Sequence, residues 1–115
     1  MEWIFGDFRL DPERFELFCN GQRIRLEPQV LALLIHLIRH RDRLVTKEEI
    51  ADTIWQHRSV SDTSIASRIR SARQAVGDDG EAQSIIRTIH GTGFRFVADV
   101  QESQSAQPRD RKSVV

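Results

Sequence analysis

The chain has 115 residues with 17 basic and 17 acidic side chains and four histidines, so its formal net charge is zero. This length allows one domain with a modest core, and the neutral total argues against a nonspecific polyanion binder. Because Cys19 is the single cysteine, no intrachain disulfide can form, and a reducing, cytoplasmic location is expected. The sequence has no signal peptide and no apolar run of about 20 residues, so no membrane segment is expected.

The first quarter of the chain has the pattern of a small antiparallel sheet. Residues 4–10 and 15–19 each alternate well enough to predict a strand, and the turn sequence Asp11-Pro12-Glu13 separates them. Asn20-Gly21 is typical of a hairpin turn and leads into a further strand over residues 22–25. The sequence therefore predicts an antiparallel meander at the amino terminus.

Two helices are predicted next. Pro28 favours a helix start, and apolar side chains cover much of the following helix through about Arg39. Thr46 and Glu49 have the spacing of a capping box, in which Thr46 caps a second helix and Glu49 reaches back to the backbone of Thr46. His36 lies inside the apolar helix, and no histidine or cysteine spacing in the chain matches a metal site. We therefore expect neither a metal nor a cofactor.

A third helix is predicted over about residues 61–76, with Ser61 or Asp62 as its N-cap. One side is apolar and consists of Ile65, Ile69, Ala72 and Val76. The opposite side is polar and consists of Thr63, Ser67, Arg70, Ser71 and Gln74, with Arg68 and Arg73 on the flanks. Small hydroxyl side chains let a helix approach a phosphate-lined groove, and arginines reach base edges and phosphates. An ordinary amphipathic surface helix has the same pattern, so both interpretations stay open at this point.

The chain then has the pattern of a β-hairpin over about residues 85–97. β-branched and aromatic residues flank Gly91-Thr92-Gly93, with Thr92 at the tip and Arg95 just inside it. Such a hairpin can place its arginine in a minor groove. The glycine pair lacks a third glycine and a following helix, so a nucleotide-binding loop is not expected.

Five segments together resemble the winged helix-turn-helix DNA-binding domain of the bacterial OmpR/PhoB transcription-factor family. They are residues 5–11, residues 26–34, residues 44–50 with Trp55, residues 60–73, and Arg-Thr-Ile-His-Gly-Thr-Gly-Phe-Arg-Phe-Val at 87–97. The resemblance covers about residues 3–98 and implies an α+β fold with an N-terminal antiparallel sheet, a three-helix core and a C-terminal hairpin wing. Ser71 stands where the family often has a basic residue and Ser67 where it often has an apolar one, so the family's operator preference does not transfer.

The resemblance implies contacts with double-stranded DNA at ten positions. They are Trp55, Thr63, Ser64, Ser67, Arg68, Arg70, Ser71, Arg73, Thr92 and Arg95. The helix over about 61–76 would enter the major groove, with Arg70 at a base or a close phosphate and Arg68 and Arg73 as phosphate clamps. The wing over about 85–97 would meet the minor groove through Arg95. The family also implies RNA polymerase contact through the loop 56–60 and head-to-tail dimers on DNA.

Two other classes of function are alternatives to a transcriptional regulator. A winged-helix protein-interaction module without DNA binding is the alternative, although it would not need the four arginines at 68, 70, 73 and 95. An enzyme is not expected, because the sequence has no nucleophile elbow and no metal-site spacing. We expect residues 1–98 to form the DNA-binding domain. The polar, aperiodic residues 99–115 have the composition of a disordered tail or a linker to a sensor or membrane part.

Overall fold

The computed structural model describes residues 1–55 and 60–103, which divide into two compact units. Among the described residues, one unit is Met1–Arg25 together with residues 99–103, and the other lies within Leu26–Ala98. The strands are β1 Glu2–Phe5, β2 Phe8–Asp11, β3 Glu16–Cys19, β4 Gln22–Ile24, β5 Val45–Thr46, β6 Ile86–Ile89, β7 Gly93–Phe96 and β8 Gln101–Ser103. The helices are α1 Pro28–Arg39, α2 Lys47–Ile54 and α3 Asp62–Ala75. Within these residues the expected N-terminal sheet, three helices and C-terminal hairpin are present.

The first unit is an antiparallel sheet with the strand order β4-β3-β2-β1-β8. The prediction of one strand over residues 4–10 is wrong, because the chain turns back at Gly6 and Asp7 and pairs β1 with β2. Gly6 has φ +59°, a left-handed conformation that glycine adopts without the steric cost of a β-carbon. The amino-terminal meander therefore contains one more hairpin than expected.

The last strand of this sheet lies in the range that composition assigned to a disordered tail or linker. β8 pairs antiparallel with β1, with Trp3 opposite Glu102. Its three side chains are all polar, so the sequence shows no apolar alternation that would predict a strand. Backbone hydrogen bonds alone can hold such an edge strand. The expectation of disorder is thus wrong for residues 101–103. Residues 104–115 lie outside the described residues, and the domain boundary at residue 98 stays a prediction.

Helix α1 is the centre of the second unit, and its bounds are those that the sequence predicts. Leu33, Leu34, Leu37 and Ile38 are fully buried. Burying an aliphatic side chain of this size contributes roughly 1.5–3 kcal/mol before conformational entropy is counted. None of the helices in the described part of the chain is long and apolar enough to span a bilayer.

Helix α2 has the predicted N-cap but not the predicted reciprocal contact. The Thr46 hydroxyl accepts a hydrogen bond from the Glu49 backbone N–H at 3.1 Å. The Glu49 carboxylate does not reach back to Thr46; it accepts two hydrogen bonds of 2.8 Å from Arg43 and lies 2.6 Å from Nε2 of His36. The hydrogen bonds from Arg43 lower the pKa of Glu49 to about 2; burial opposes this shift, and the His36 contact adds to it.

The predicted hairpin forms the wing, in a second sheet with the strand order β5-β7-β6. A hydrogen bond of 2.8 Å from the Val97 N–H to the Ile85 carbonyl closes the hairpin at the predicted ends. Gly91 has φ +75° and makes the turn. Gly93 has another role, because a β-carbon there would lie 2.1 Å from the Val45 carbonyl oxygen. Only glycine lets β7 approach β5 this closely.

Candidate nucleic-acid interface

Helix α3 presents one apolar and one polar face, as its sequence pattern predicts. Ile65, Ile69 and Ala72 are at most 3% exposed. The Ser61 hydroxyl accepts a hydrogen bond from the Ser64 N–H at 3.2 Å, so Ser61 is the N-cap. The exposed residues of the opposite face are Thr63, Ala66, Ser67, Arg70 and Gln74. We call Thr63, Ser67, Arg70 and Gln74 the outer stripe.

The outer stripe has no partner in the part of the chain that the structure describes. None of its four side chains makes a hydrogen bond or an ion pair there. The guanidinium of Arg70 therefore keeps all five of its N–H donors for solvent or a ligand. Around it lie short side chains, which allow another molecule to come near the helix backbone.

The two flanking arginines of α3 are turned towards the protein. The Nε of Arg68 donates to Oε1 of Gln29 on α1 at 2.9 Å. Arg73 donates from Nε and Nη2 to the Ile86 carbonyl at 3.1 and 3.0 Å, and from Nη2 to Oγ1 of Thr88 at 2.6 Å. Their predicted role as phosphate clamps stays a prediction, but both guanidinium groups already tie α3 to neighbouring elements.

A buried carboxylate holds the loop between α3 and the wing. Asp78 is 7% exposed and accepts hydrogen bonds from the backbone N–H groups of residues 79, 84, 85 and 86 at 2.8–2.9 Å. Burial by itself raises the pKa of Asp78, but these hydrogen bonds, led by those from Ile86 and Ile85, outweigh it and hold the pKa at about 2. We call Arg73 and Asp78, with their partners on β6, the wing clamp.

Burial within the wing clamp also affects Arg73. It lowers the pKa of the Arg73 guanidinium, while the carboxylates of Asp78 and Asp79 oppose the shift. Because an arginine is protonated at any pH a protein meets, Arg73 remains a cation. It therefore serves as a charged donor to the backbone of β6.

The wing exposes two arginines rather than the one that the sequence singled out. Thr92 is exposed at the tip, and its backbone N–H donates to the Ile89 carbonyl at 3.0 Å. Arg95 is exposed, and its Nε donates to the Arg41 carbonyl at 3.3 Å. Directly opposite Arg95 in the strand register lies the exposed Arg87. Sequence reasoning missed Arg87, although a hairpin centred on Gly91 places residues 87 and 95 four positions to either side.

The remaining predicted DNA-contact residues are less exposed than the outer stripe. Trp55 lies half-buried at the C-cap of α2. Ser64 is half-buried, and its hydroxyl lies 3.1 Å from the hydroxyl of Ser61. Ser71 is half-buried on the edge of α3. Residues 56–59 of the loop predicted to contact RNA polymerase lie outside the described residues.

A groove of about 430 Å³ separates α3 from the wing. Its lining includes the apolar Ile65, Ile69 and Phe94 and the polar Thr88 and His90. Since side chains alternate along a strand, Arg87 and Arg95 project from the ribbon face opposite to Thr88 and Phe94. The structure thus places α3 and the wing side by side, with Arg70 on the helix and the arginine pair on the far face of the ribbon.

The described residues contain one group that could hold a metal ion. It consists of His36, His40 and Glu49, which lie at or near the ends of α1 and α2 rather than on α3 or the wing. The sequence prediction of no metal site considered spacings along the chain and did not include this group, because its third member comes from a different helix.

Comparison with known proteins gives a consistent family. Residues 21–96 match the family model described as "Transcriptional regulatory protein, C terminal". The chain is 26% identical over 94 residues to the alkaline phosphatase synthesis transcriptional regulatory protein PhoP of Bacillus subtilis. These aligned residues are 81% of this chain and 39% of that protein. The curated relatives that it matches are thus much longer proteins, and the chain spans less than half of their length.

Solved structures with the same fold include DNA-binding domains. The response regulator DrrB of Thermotoga maritima, an OmpR/PhoB homologue, is similar with a TM-score of 0.74 and 32% identity, over 83% of this chain and 43% of that one. The DNA-binding domain of Klebsiella pneumoniae RstA, solved in complex with the RstA box, has a TM-score of 0.73 and 18% identity, over 83% of this chain and 95% of that one. The second likeness shows the fold alone.

Proposed function

Because the chain belongs to the family of C-terminal domains of transcriptional regulatory proteins, with an OmpR/PhoB-type winged helix-turn-helix fold, we propose that it binds double-stranded DNA sequence-specifically and regulates transcription. In this proposal α3 enters the major groove and the wing meets the neighbouring minor groove and backbone. The family is one of regulatory domains and not of enzymes, so no catalytic residue is proposed.

The observation that carries this proposal is the outer stripe of α3. The major groove is about 12 Å wide and admits a helix of about 10–12 Å diameter, and short facing side chains let the helix backbone come close to the base edges. Thr63 and Ser67 are short and exposed, and Arg70 lies one turn further along the same line, where its guanidinium makes no hydrogen bond with the described residues. Arg70 is therefore the residue that we assign to a base edge, where arginine pairs with guanine in bidentate geometry.

The wing supports the same proposal through its electrostatics. Like charges directly opposite each other on a ribbon destabilise the pairing, and Arg87 and Arg95 form such a pair in the exposed register. A phosphate backbone or a minor groove would neutralise both charges at once. We therefore add Arg87 to the predicted contact at Arg95, with Thr92 at the tip.

The number of exposed arginines near the DNA sets the expected salt dependence of binding. Arg70, Arg87 and Arg95 are the exposed arginines of α3 and the wing, and the formal net charge of the whole chain is zero. Two phosphate contacts from the wing, or three if Arg70 contacts a phosphate rather than a base, predict that log K falls with log salt concentration at a slope of roughly −2 to −3 per bound chain. Such a slope is moderate, which means that nonspecific attraction to phosphates contributes little to affinity. The chain would then distinguish one DNA sequence from another through its base contacts.

The experiment begins with selection of bound fragments from a genomic library, which gives the operator and the spacing of its repeats. Mobility-shift titrations on that operator then compare the wild-type chain with Arg70→Ala and with Arg25→Ala, which removes the same charge from an exposed position after β4. We expect Arg70→Ala to weaken specific binding by roughly 1–3 kcal/mol, and Arg25→Ala to leave it nearly unchanged. Equal affinities of wild type and Arg70→Ala would remove Arg70 from the interface.

The same titrations test the remaining partner predictions. Two shifted species on an operator with direct repeats would support a head-to-tail pair, and a single species on one half-site would contradict it. A chain that neither binds duplex nor is retained on heparin at low salt would favour the protein-interaction module. RNA polymerase contact through the loop 56–60 requires a separate pull-down with variants of that loop.

A further inference from the structure

We propose that His36, His40 and Glu49 form a binding site for a divalent transition-metal ion, with Zn²⁺ as the reference ion. His36 is on α1, His40 is its C-cap, and Glu49 is in the first turn of α2. An ion bound to all three would connect the end of one helix to the start of the next. All three residues lie within the matched range 21–96, but none of them is among the proposed DNA contacts.

The helix geometry brings the two imidazoles together. Residues four apart lie on the same face of a helix, one above the other, and the ring centroids of His36 and His40 are 4.5 Å apart. Two histidines at this spacing form the half of a metal site that one helix can supply, as in metal-binding motifs with histidines at i and i+4. The third ligand must come from another element.

Glu49 supplies that third ligand. Its Oε2 lies 2.6 Å from Nε2 of His36, and one ligand atom from each of the three residues lies within 4.8 Å of the others. Zinc is bound by nitrogen and oxygen at about 2.0–2.2 Å, so ligand atoms on one ion are separated by roughly 3.5 Å. The separations in the structure run from 2.6 Å to at most 4.8 Å and bracket that value.

Arg43 gives the carboxylate a fixed orientation. Its Nη1 and Nη2 donate to Oε1 and Oε2 of Glu49, each at 2.8 Å. If an ion took the place between Oε2 and His36, Oε1 could keep its bond to Arg43, which is the usual position of an outer-shell partner. The guanidinium charge also repels a cation, and we therefore expect weaker binding than in sites built of three or four cysteines.

The ligand types select among metals. Two imidazole nitrogens and one carboxylate oxygen suit Zn²⁺, Co²⁺, Ni²⁺ and Cu²⁺, whereas Mg²⁺ and Ca²⁺ prefer oxygen ligands. Three protein ligands leave a coordination position for water or another molecule. The competing explanation is simple packing, in which the imidazoles stack and His36 hydrogen-bonds to Glu49 without binding an ion.

The test is a titration of the untagged 115-residue chain with Zn²⁺ against a chromophoric chelator, repeated with Co²⁺ while its visible absorption is recorded. We expect one ion per chain at this site. His40→Gln, which leaves the bonds among His36, Glu49 and Arg43 in place, should raise the Zn²⁺ dissociation constant at least about tenfold, the loss expected from removal of even an outer-shell partner. The matched controls are His90→Gln on the wing and Glu48→Gln beside Glu49, and both should bind as the wild type does.

If His40→Gln does not fold, NMR spectra of the wild-type chain with and without Zn²⁺ test the proposal instead. One equivalent of Zn²⁺ should shift the ring resonances of His36 and His40 and leave those of His90 unchanged. Absence of saturable binding, an equal loss in His40→Gln and His90→Gln, or unshifted His36 and His40 rings would each overturn the site and leave packing as the explanation.

Discussion

The outer stripe and the wing clamp both use arginine on the same helix, and they differ in what surrounds each side chain. Arg70 of the outer stripe is exposed and makes no hydrogen bond with the described residues. Arg73, less than one turn further along, donates three hydrogen bonds to Ile86 and Thr88 on the wing. The first is available to a ligand, whereas the second positions the wing beside the helix.

This contrast shows that the number of arginines on a helix does not measure the number of its DNA contacts. Arg68, Arg70 and Arg73 are equivalent in a charge count, but Arg68 and Arg73 have partners within the protein. We therefore expect substitutions in the two regions to have separable effects. Those in the wing clamp should lower stability, and those in the outer stripe should lower DNA affinity.

The largest expected effect is that of Asp78→Ala. Removing this carboxylate leaves four backbone N–H groups without their acceptor; the bond from Ile86 is buried and the other three are partly buried. A buried donor left without an acceptor costs about 1–3 kcal/mol, and a partly buried one costs less. Because relaxation recovers part of that loss, we expect the free energy of unfolding to fall by roughly 3–5 kcal/mol in urea titrations followed by circular dichroism. Asp79→Ala is the matched control: Asp79 is exposed and accepts from the N–H groups of Glu81 and Ala82 within its own turn. A loss in Asp78→Ala no larger than in Asp79→Ala would contradict the clamp.

The next largest expected effect is the pH dependence that Asp78 gives to the free energy of unfolding. Because the folded pKa of Asp78, about 2, lies below the ordinary value of about 3.9, the ionised form stabilises the fold at neutral pH. That contribution, about 2–3 kcal/mol, is complete above about pH 5 and is lost progressively as the pH falls towards 2. Subtracting the unfolding curve of Asp78→Ala from that of the wild type isolates it. A difference between the two proteins that is constant from pH 5 to pH 2 would show that Asp78 is not the group that titrates.

The smallest expected effect separates the two regions most directly. Arg73→Ala removes charged hydrogen bonds to β6 and should lower the free energy of unfolding by about 1–3 kcal/mol. Arg70→Ala changes an exposed side chain and should alter it by less than about 0.5 kcal/mol. Thermal and urea unfolding of both variants provide the measurement. Equal stability of the two would remove the distinction between outer stripe and wing clamp.

Local sequence signals predicted much of the fold. The start of α1 at Pro28 and the caps by Thr46 and Ser61 are decided by backbone groups within a few residues, and the structure has all three. The buried face of α3 follows from helical periodicity, and the wing follows from β-branched residues around Gly91. The sequence missed two features of the N-terminal sheet. The hairpin at Gly6 depends on a turn conformation, and β8 depends on pairing with the distant strand β1.

The candidate site was predicted less completely, because side-chain partners come from distant parts of the chain. The outward direction of Arg70 follows from the helix alone, but the partner of Arg68 is 39 residues away on α1. Arg87 could have been found from the register of the hairpin. The predicted DNA contacts at all ten positions stay predictions until they are measured on an operator.

The sequence by itself determined the three helices, the wing and their polar and apolar faces, because those depend on φ/ψ preferences, caps and periodicities that act over a few residues. Only the tertiary structure decided which polar groups meet. It turned Arg73 into a clamp for the wing, buried Asp78 under backbone donors, and placed Glu49 against His36 and His40. Such contacts depend on how the elements pack against one another, and local sequence patterns do not predict that packing.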